Sequence, residues 1–89
     1  MDEPRAILKK GDSLLASGDA RAAMAAYTSV AQFYAKQGFA LKAVAIWKQV
    51  RAIAVREHEA TIEADARAQL VTLYRSLGLT SDAEALEKE

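Results

Sequence analysis

Apolar side chains recur every three or four positions along almost the whole chain, which is the spacing of one helix face and not the alternation of a strand. The stripe Ala20, Ala23, Met24, Tyr27, Ala31, Tyr34 is followed by Ala40, Ala43, Val44, Trp47, Val50, Ala54, and then by Ile62, Ala66, Leu70, Leu73, Tyr74, Leu77. Gly18, Gly38 and Gly78 interrupt the pattern 20 and then 40 residues apart, so a fourth turn without glycine is expected near His58. The cuts predict five helices: Pro4 to Ala16, Ala20 to Gln37, Ala40 to Arg56, Ile62 to Leu77 and Asp82 to Lys88. The third adds Leu41, Ile46, Ile53 and Val55 to its stripe, which predicts a central helix with neighbours on two sides.

Composition supports this reading. Of 89 residues 20 are alanine, the best helix former, whereas proline occurs once and asparagine not at all. Pro4 suits a first helical turn, Asp19 can accept from the free amides that open the second helix, and Ser81 with Glu84 has capping-box spacing. Between Arg56 and Thr61 there is neither Gly nor Pro, so one helix from Ala40 to Leu77 is the alternative to a break. Antiparallel packing of the two stripes requires the break, with Thr61 as the expected cap. The length fits a single domain over residues 1–89.

A more specific pattern lies beneath the stripes. Gly11, Leu14, Gly18, Ala23 and Tyr27 return as Ala31, Tyr34, Gly38, Ala43 and Trp47 at the same offsets; Val71, Tyr74, Gly78 and Ala83 begin a third copy, which departs at Glu87. Glycine allows the tight interhelical turn, the small residue sits where helices approach most closely, and the aromatic fills the space beyond. The run from Lys9 to Tyr27 resembles the heart of a tetratricopeptide repeat. The resemblance covers most of the chain, but the spacing is 20 residues per helix, longer than the family's, and Ala35 and Val55 stand where a closing proline often falls. It implies an all-α fold, a right-handed stack of four to five antiparallel helices, and a non-catalytic adaptor or scaffold that binds another protein. The second helix matches either helix of a repeat, so the frame stays open.

Candidate chemistry is sparse. The chain has no cysteine and one histidine, which excludes disulfides, thiolate metal cages and a multi-histidine site. His58 reads as a solvated turn residue, against a metal ligand with Glu59 or Glu63, or a catalytic base. No glycine-rich phosphate loop is present, so neither enzyme activity nor a cofactor is expected. No apolar run approaches membrane-spanning length, and no signal-like stretch follows Met1 to Arg5, so a cytoplasmic protein without membrane insertion is expected.

The net charge of zero conceals an asymmetry: residues 1–19 carry −1, residues 20–56 carry +6 with no acid, and residues 57–89 carry −5. Either the segments neutralise each other across packed helices, or the basic middle steers a partner with an acidic segment. Nucleic acid is the weaker reading, because Tyr27, Tyr34 and Trp47 fall on core stripes where they cannot stack on bases. Homo-oligomeric assembly is the alternative function.

Members of the resembled family hold a peptide or partner helix along the inner curve of the stack. If the second and fourth helices line that curve, Thr28, Gln32 and Lys36 face Ala68, Thr72, Arg75 and Ser76; in the other frame Arg5, Leu8, Asp12 and Leu15 line it. Lys42 belongs to the basic middle as a partner-binding candidate. Phe33 lies about 100° off the Tyr27 and Tyr34 stripe, so it is either an exposed anchor or buried against the third helix.

Overall fold

The computed structural model describes residues 3–89 and is all-α: α1 (Pro4–Ala16), α2 (Ala20–Lys36), α3 (Ala40–Arg56), α4 (Ala60–Ser76) and α5 (Thr80–Glu87). Each helix packs on the next in the chain, so α3 lies in the middle with α2 and α4 on its two sides, as its apolar stripe predicts. The molecule measures 37 × 29 × 15 Å. A slab little thicker than one helix diameter leaves every helix partly in solvent and both broad faces grooved.

One turn design is used four times. After α1, the amide of Gly18 donates to the Leu15 carbonyl at 3.1 Å and that of Asp19 to the Leu14 carbonyl at 2.9 Å, which is the Schellman pattern that closes a helix C-terminus. The same pair of bonds recurs at Gly38 and Phe39, at His58 and Glu59, and at Gly78 and Leu79. Each turn requires a left-handed residue, supplied by glycine at three of them and by His58, with φ +58°, at the α3–α4 turn. The break at His58 is therefore present, and the uninterrupted helix is not. A side chain in that conformation costs about 1–2 kcal/mol, and the His58 side chain is exposed. His58→Gly is expected to raise stability by about 0.5–1 kcal/mol, because relief of strain outweighs the added freedom of the unfolded chain. Urea midpoints of the two proteins measure this; a loss of stability would show that the imidazole makes a favourable contact outweighing the strain.

The last residue of each turn doubles as the N-cap of the next helix, which moves two of the expected caps. Asp19 does cap α2, its carboxylate accepting from the Ala22 amide at 3.2 Å. Helix α4, however, starts at Ala60 after Glu59, and α5 starts at Thr80 after Leu79, with no capping bond from either side chain. Thr61 and the Ser81–Glu84 pair thus lie inside helices, because turn geometry and not side-chain preference fixes where each helix begins. Pro4 occupies the first turn of α1 as expected.

The core runs through α2, α3 and α4 as Ala23, Met24, Tyr27, Val30 and Ala31 against Ala43, Val44, Ile46, Trp47, Val50, Ile53 and Ala54, closed by Ala66, Leu70 and Leu86. Burial of each large side chain contributes about 1.5–3 kcal/mol. Three of the stripe residues fall outside. Leu41, Val55 and Leu77 are exposed, because Leu41 and Val55 lie on the side of α3 that its helix contacts leave open, Val55 on the wall of a surface cavity, and Leu77 lies in the turn after α4. Alanine at close approaches has a counterpart in Gly11, buried against the Tyr27 ring: a Cβ there would sit 2.7 Å from Tyr27 Cε1.

Candidate partner-binding grooves

Helices α2 and α4 run side by side across α3, and between them lies a cavity of about 460 Å³ lined by Met24, Thr28, Ser29 and Gln32 of α2, by Ile62, Asp65 and Gln69 of α4, and by Trp47 of α3. A second cavity of about 330 Å³ continues it along Gln32, Ala35 and Lys36, again beside Trp47 and Gln69. Ala25 and Ile62 supply accessible apolar surface over the buried Met24 and Trp47, whereas hydroxyl and amide groups stand at the sides. Trp47 is 4% exposed, and its Nε1 is buried with no hydrogen-bond partner among the described residues.

Of the sequence candidates, Thr28, Gln32 and Lys36 therefore share this groove, and Thr72 and Arg75 do not. Thr72 is turned back on its own helix, its hydroxyl donating to the Ala68 carbonyl at 3.2 Å, while Arg75 pairs with Glu87 of α5. Ala68 and Ser76 are likewise absent from the groove wall. The α4 contribution comes from Asp65 and Gln69; Ala68 and Arg75 lie roughly 60–120° round the helix from them, whereas Thr72 and Ser76 share their flank but stand further towards the C-terminus of α4. These two were missed because the periodicity of α4 marks its core face but not which flank meets α2. Of the residues that the other frame names, Leu8 and Leu15 are partly buried against the core, and Asp12 accepts the Tyr27 phenol at 2.5 Å.

A larger cavity of about 580 Å³ opens on the opposite face, between α3 and α5 across α4. Adding 20 to Thr28, Gln32, Ile62, Asp65 and Gln69 gives Lys48, Ala52, Asp82, Ala85 and Glu89, all of which line it. The period that repeats the turns thus repeats the groove on alternate faces. Here the walls are charged: Lys48 lies 6.0 Å from the Tyr74 ring, and Arg51 bridges Glu63 at 2.8 Å and Glu89. Those two carboxylates, Glu63 foremost, hold the Arg51 guanidinium above its ordinary pKa.

The basic middle does not form one surface. Arg21 pairs with Glu59 at 3.0 Å, Arg51 with Glu63 and Glu89, and Arg56 with Glu57 at 3.4 Å, so half of it is neutralised by the acidic C-terminal segment. Among the described residues Lys36, Lys42 and Lys48 make no ion pair, and they lie apart: Lys36 in the α2–α4 groove, Lys48 in the opposite one, and Lys42 at the end of the slab, 5.1 Å from the Phe39 ring and 5.3 Å from that of Tyr34. Phe33 is half-buried, tilted against Tyr34 with ring centroids 5.9 Å apart, and Tyr34 is itself only partly buried. Among the described residues no group of three or more His, Cys, Asp or Glu is placed to hold a metal ion, and no helix is long and apolar enough to cross a membrane.

The fold defines a class: an all-α stack of five consecutively packed helices with a groove on each face. No protein family, curated protein or solved structure matches the chain.

Proposed function

We propose that the chain is a non-catalytic protein-interaction module of tetratricopeptide type, whose α2–α4 groove takes a peptide or helix from another protein. The groove's composition carries this reading: apolar surface from Ala25 and Ile62, over a floor of buried Met24 and Trp47, lies between the hydroxyl and amide groups of Thr28, Ser29, Gln32 and Gln69. Apolar surface supplies affinity, and a few polar groups at fixed positions supply orientation. Lys36, without a carboxylate partner among the described residues, offers an acidic side chain of the partner a contact at one end. Such a charge contributes more to association rate and register than to affinity.

Trp47 is the only tryptophan, so its emission reports on the groove directly. Peptides selected from a random displayed library against the whole chain should shift that emission on titration. Thr28→Arg with Gln32→Arg is expected to weaken them about tenfold or more, while Thr72→Arg leaves them unchanged. Selected peptides that bind both variants equally well would rule the groove out.

A further inference from the structure

Two charges line the α2–α4 groove and are engaged by no other side chain among the described residues. Asp65 is exposed on the α4 wall and Lys36 on the α2 wall, and neither side chain makes an ion pair or a hydrogen bond there. Arg21, a further charged residue of the α2 wall, is paired with Glu59 at 3.0 Å. Gln69 stands one turn beyond Asp65, and Gln32 one turn before Lys36. Both glutamines are exposed and line the two adjoining cavities, and neither carboxamide has a hydrogen-bond partner among the described residues.

The opposite face does not repeat this order. Twenty residues on from Gln32, Lys36, Asp65 and Gln69 stand Ala52, Arg56, Ala85 and Glu89. Two of these are apolar, and the charged two are taken up by Glu57 and Arg51. The unpaired charges of that groove, Lys48 and Asp82, fall at the positions that correspond to Thr28 and Ile62, and Lys48 lies over the Tyr74 ring.

Short turns join α2 to α3 and α3 to α4, so α2 and α4 both run antiparallel to α3 and point the same way. Gln32 and Gln69 face the same cavities, and one turn separates each from its charged neighbour. Asp65 and Lys36 are thus two turns, about 11 Å, apart along the groove, in the order anion, amide, amide, cation. Each carboxamide presents both a donor and an acceptor, the complement of the N–H and C=O groups that an extended backbone leaves unpaired and a helix satisfies within itself. Resting on the binding role proposed above for this groove, we infer that its partner is an extended segment of another protein, with a basic side chain seated at Asp65 and an acidic one about three or four residues away at Lys36.

Peptides selected from the displayed random library against the whole chain are the probe, and titration of the Trp47 emission reads their affinity. They are expected to share a Lys or Arg about three or four positions from an Asp or Glu. Asp65→Lys and Lys36→Glu should each weaken them about threefold to tenfold at low salt, and less at high salt, because both side chains are exposed. Reversing the charge of the matching peptide residue should restore most of the loss for its own variant and not for the other, which only a contact between those two positions does. Neither substitution removes a side-chain partner within the described residues, and circular dichroism confirms that each variant is folded. Peptides weakened by Thr28→Arg with Gln32→Arg but indifferent to both charge reversals overturn this inference and leave the groove assignment standing. Charges about seven positions apart are the spacing of a helical partner and overturn it equally. Peptides indifferent to the arginine pair, or a selection that yields no binder, remove the groove assignment and this inference together.

Discussion

Truncation of Trp47 to alanine is expected to cost about 3–5 kcal/mol, a large share of the roughly 4–13 kcal/mol by which a chain of this length is stable. Trp47 is buried in the central helix and lines both cavities between α2 and α4, so its removal opens a gap that three helices border. Trp47→Phe separates two parts of that cost. It forfeits part of the packing but also removes a buried N–H that has no acceptor, a defect worth about 1–3 kcal/mol, so its net loss should be about 1 kcal/mol or less. Chemical denaturation followed by far-ultraviolet circular dichroism measures all three proteins. An alanine variant that loses under about 1 kcal/mol would mean that α2 and α4 close onto the gap.

The second large effect is one of pH. Tyr27 is 1% exposed and is pushed up to about 12 from its ordinary 10.0, first by burial and then by its hydrogen bond to the Asp12 carboxylate. The fold therefore favours the neutral phenol. Stability from this source is fully present below the unfolded value near 10 and is lost as pH rises towards 12. At about 1.4 kcal/mol per unit the loss amounts to about 3 kcal/mol. Tyr27→Phe cannot ionise, so the difference in stability between the two proteins should shrink across that interval, beyond any effect the lysines have on both. A constant difference from pH 9 to pH 12 would sink the assignment.

The same residue shows how a repeat is read. Its spacing from Gly11 was visible in the sequence as a small residue followed by an aromatic, and the structure sets the ring against that glycine with no room for a Cβ. At Trp47 the corresponding small residue is Ala31, buried completely. Spacing identifies such a pair because both members lie on the same stripe of a period-20 pattern. It does not identify the hydrogen bond to Asp12, which sits on the exposed side of the neighbouring helix and follows no stripe.

Caps were legible only in part, for a reason that the turns supply. Where one residue both ends a Schellman turn and begins a helix, the backbone bonds of the turn fix the helix start, and the side chain at that place is free to serve another purpose. Asp19 serves as a cap, whereas Phe39 and Leu79 face outward beside Leu41 and Leu77. A search for capping residues finds the first and passes over the other two.

The sequence by itself determined the number of helices, their ends to within about two residues, the places of the turns and the central position of the third helix. These follow from periodicity and backbone chemistry, which act between residues close in the chain. Only the tertiary structure decided which flank and which stretch of α4 face α2, so that Asp65 and Gln69 line the groove, whereas Thr72, further along the same flank, and Arg75, on another, do not. It also decided that Arg21 meets Glu59 and Arg51 meets Glu63 and Glu89, dividing a basic segment that reads as continuous. Both depend on how helices rotate about their own axes as they pack, which a stripe narrows to a face without singling out the neighbour at its edge.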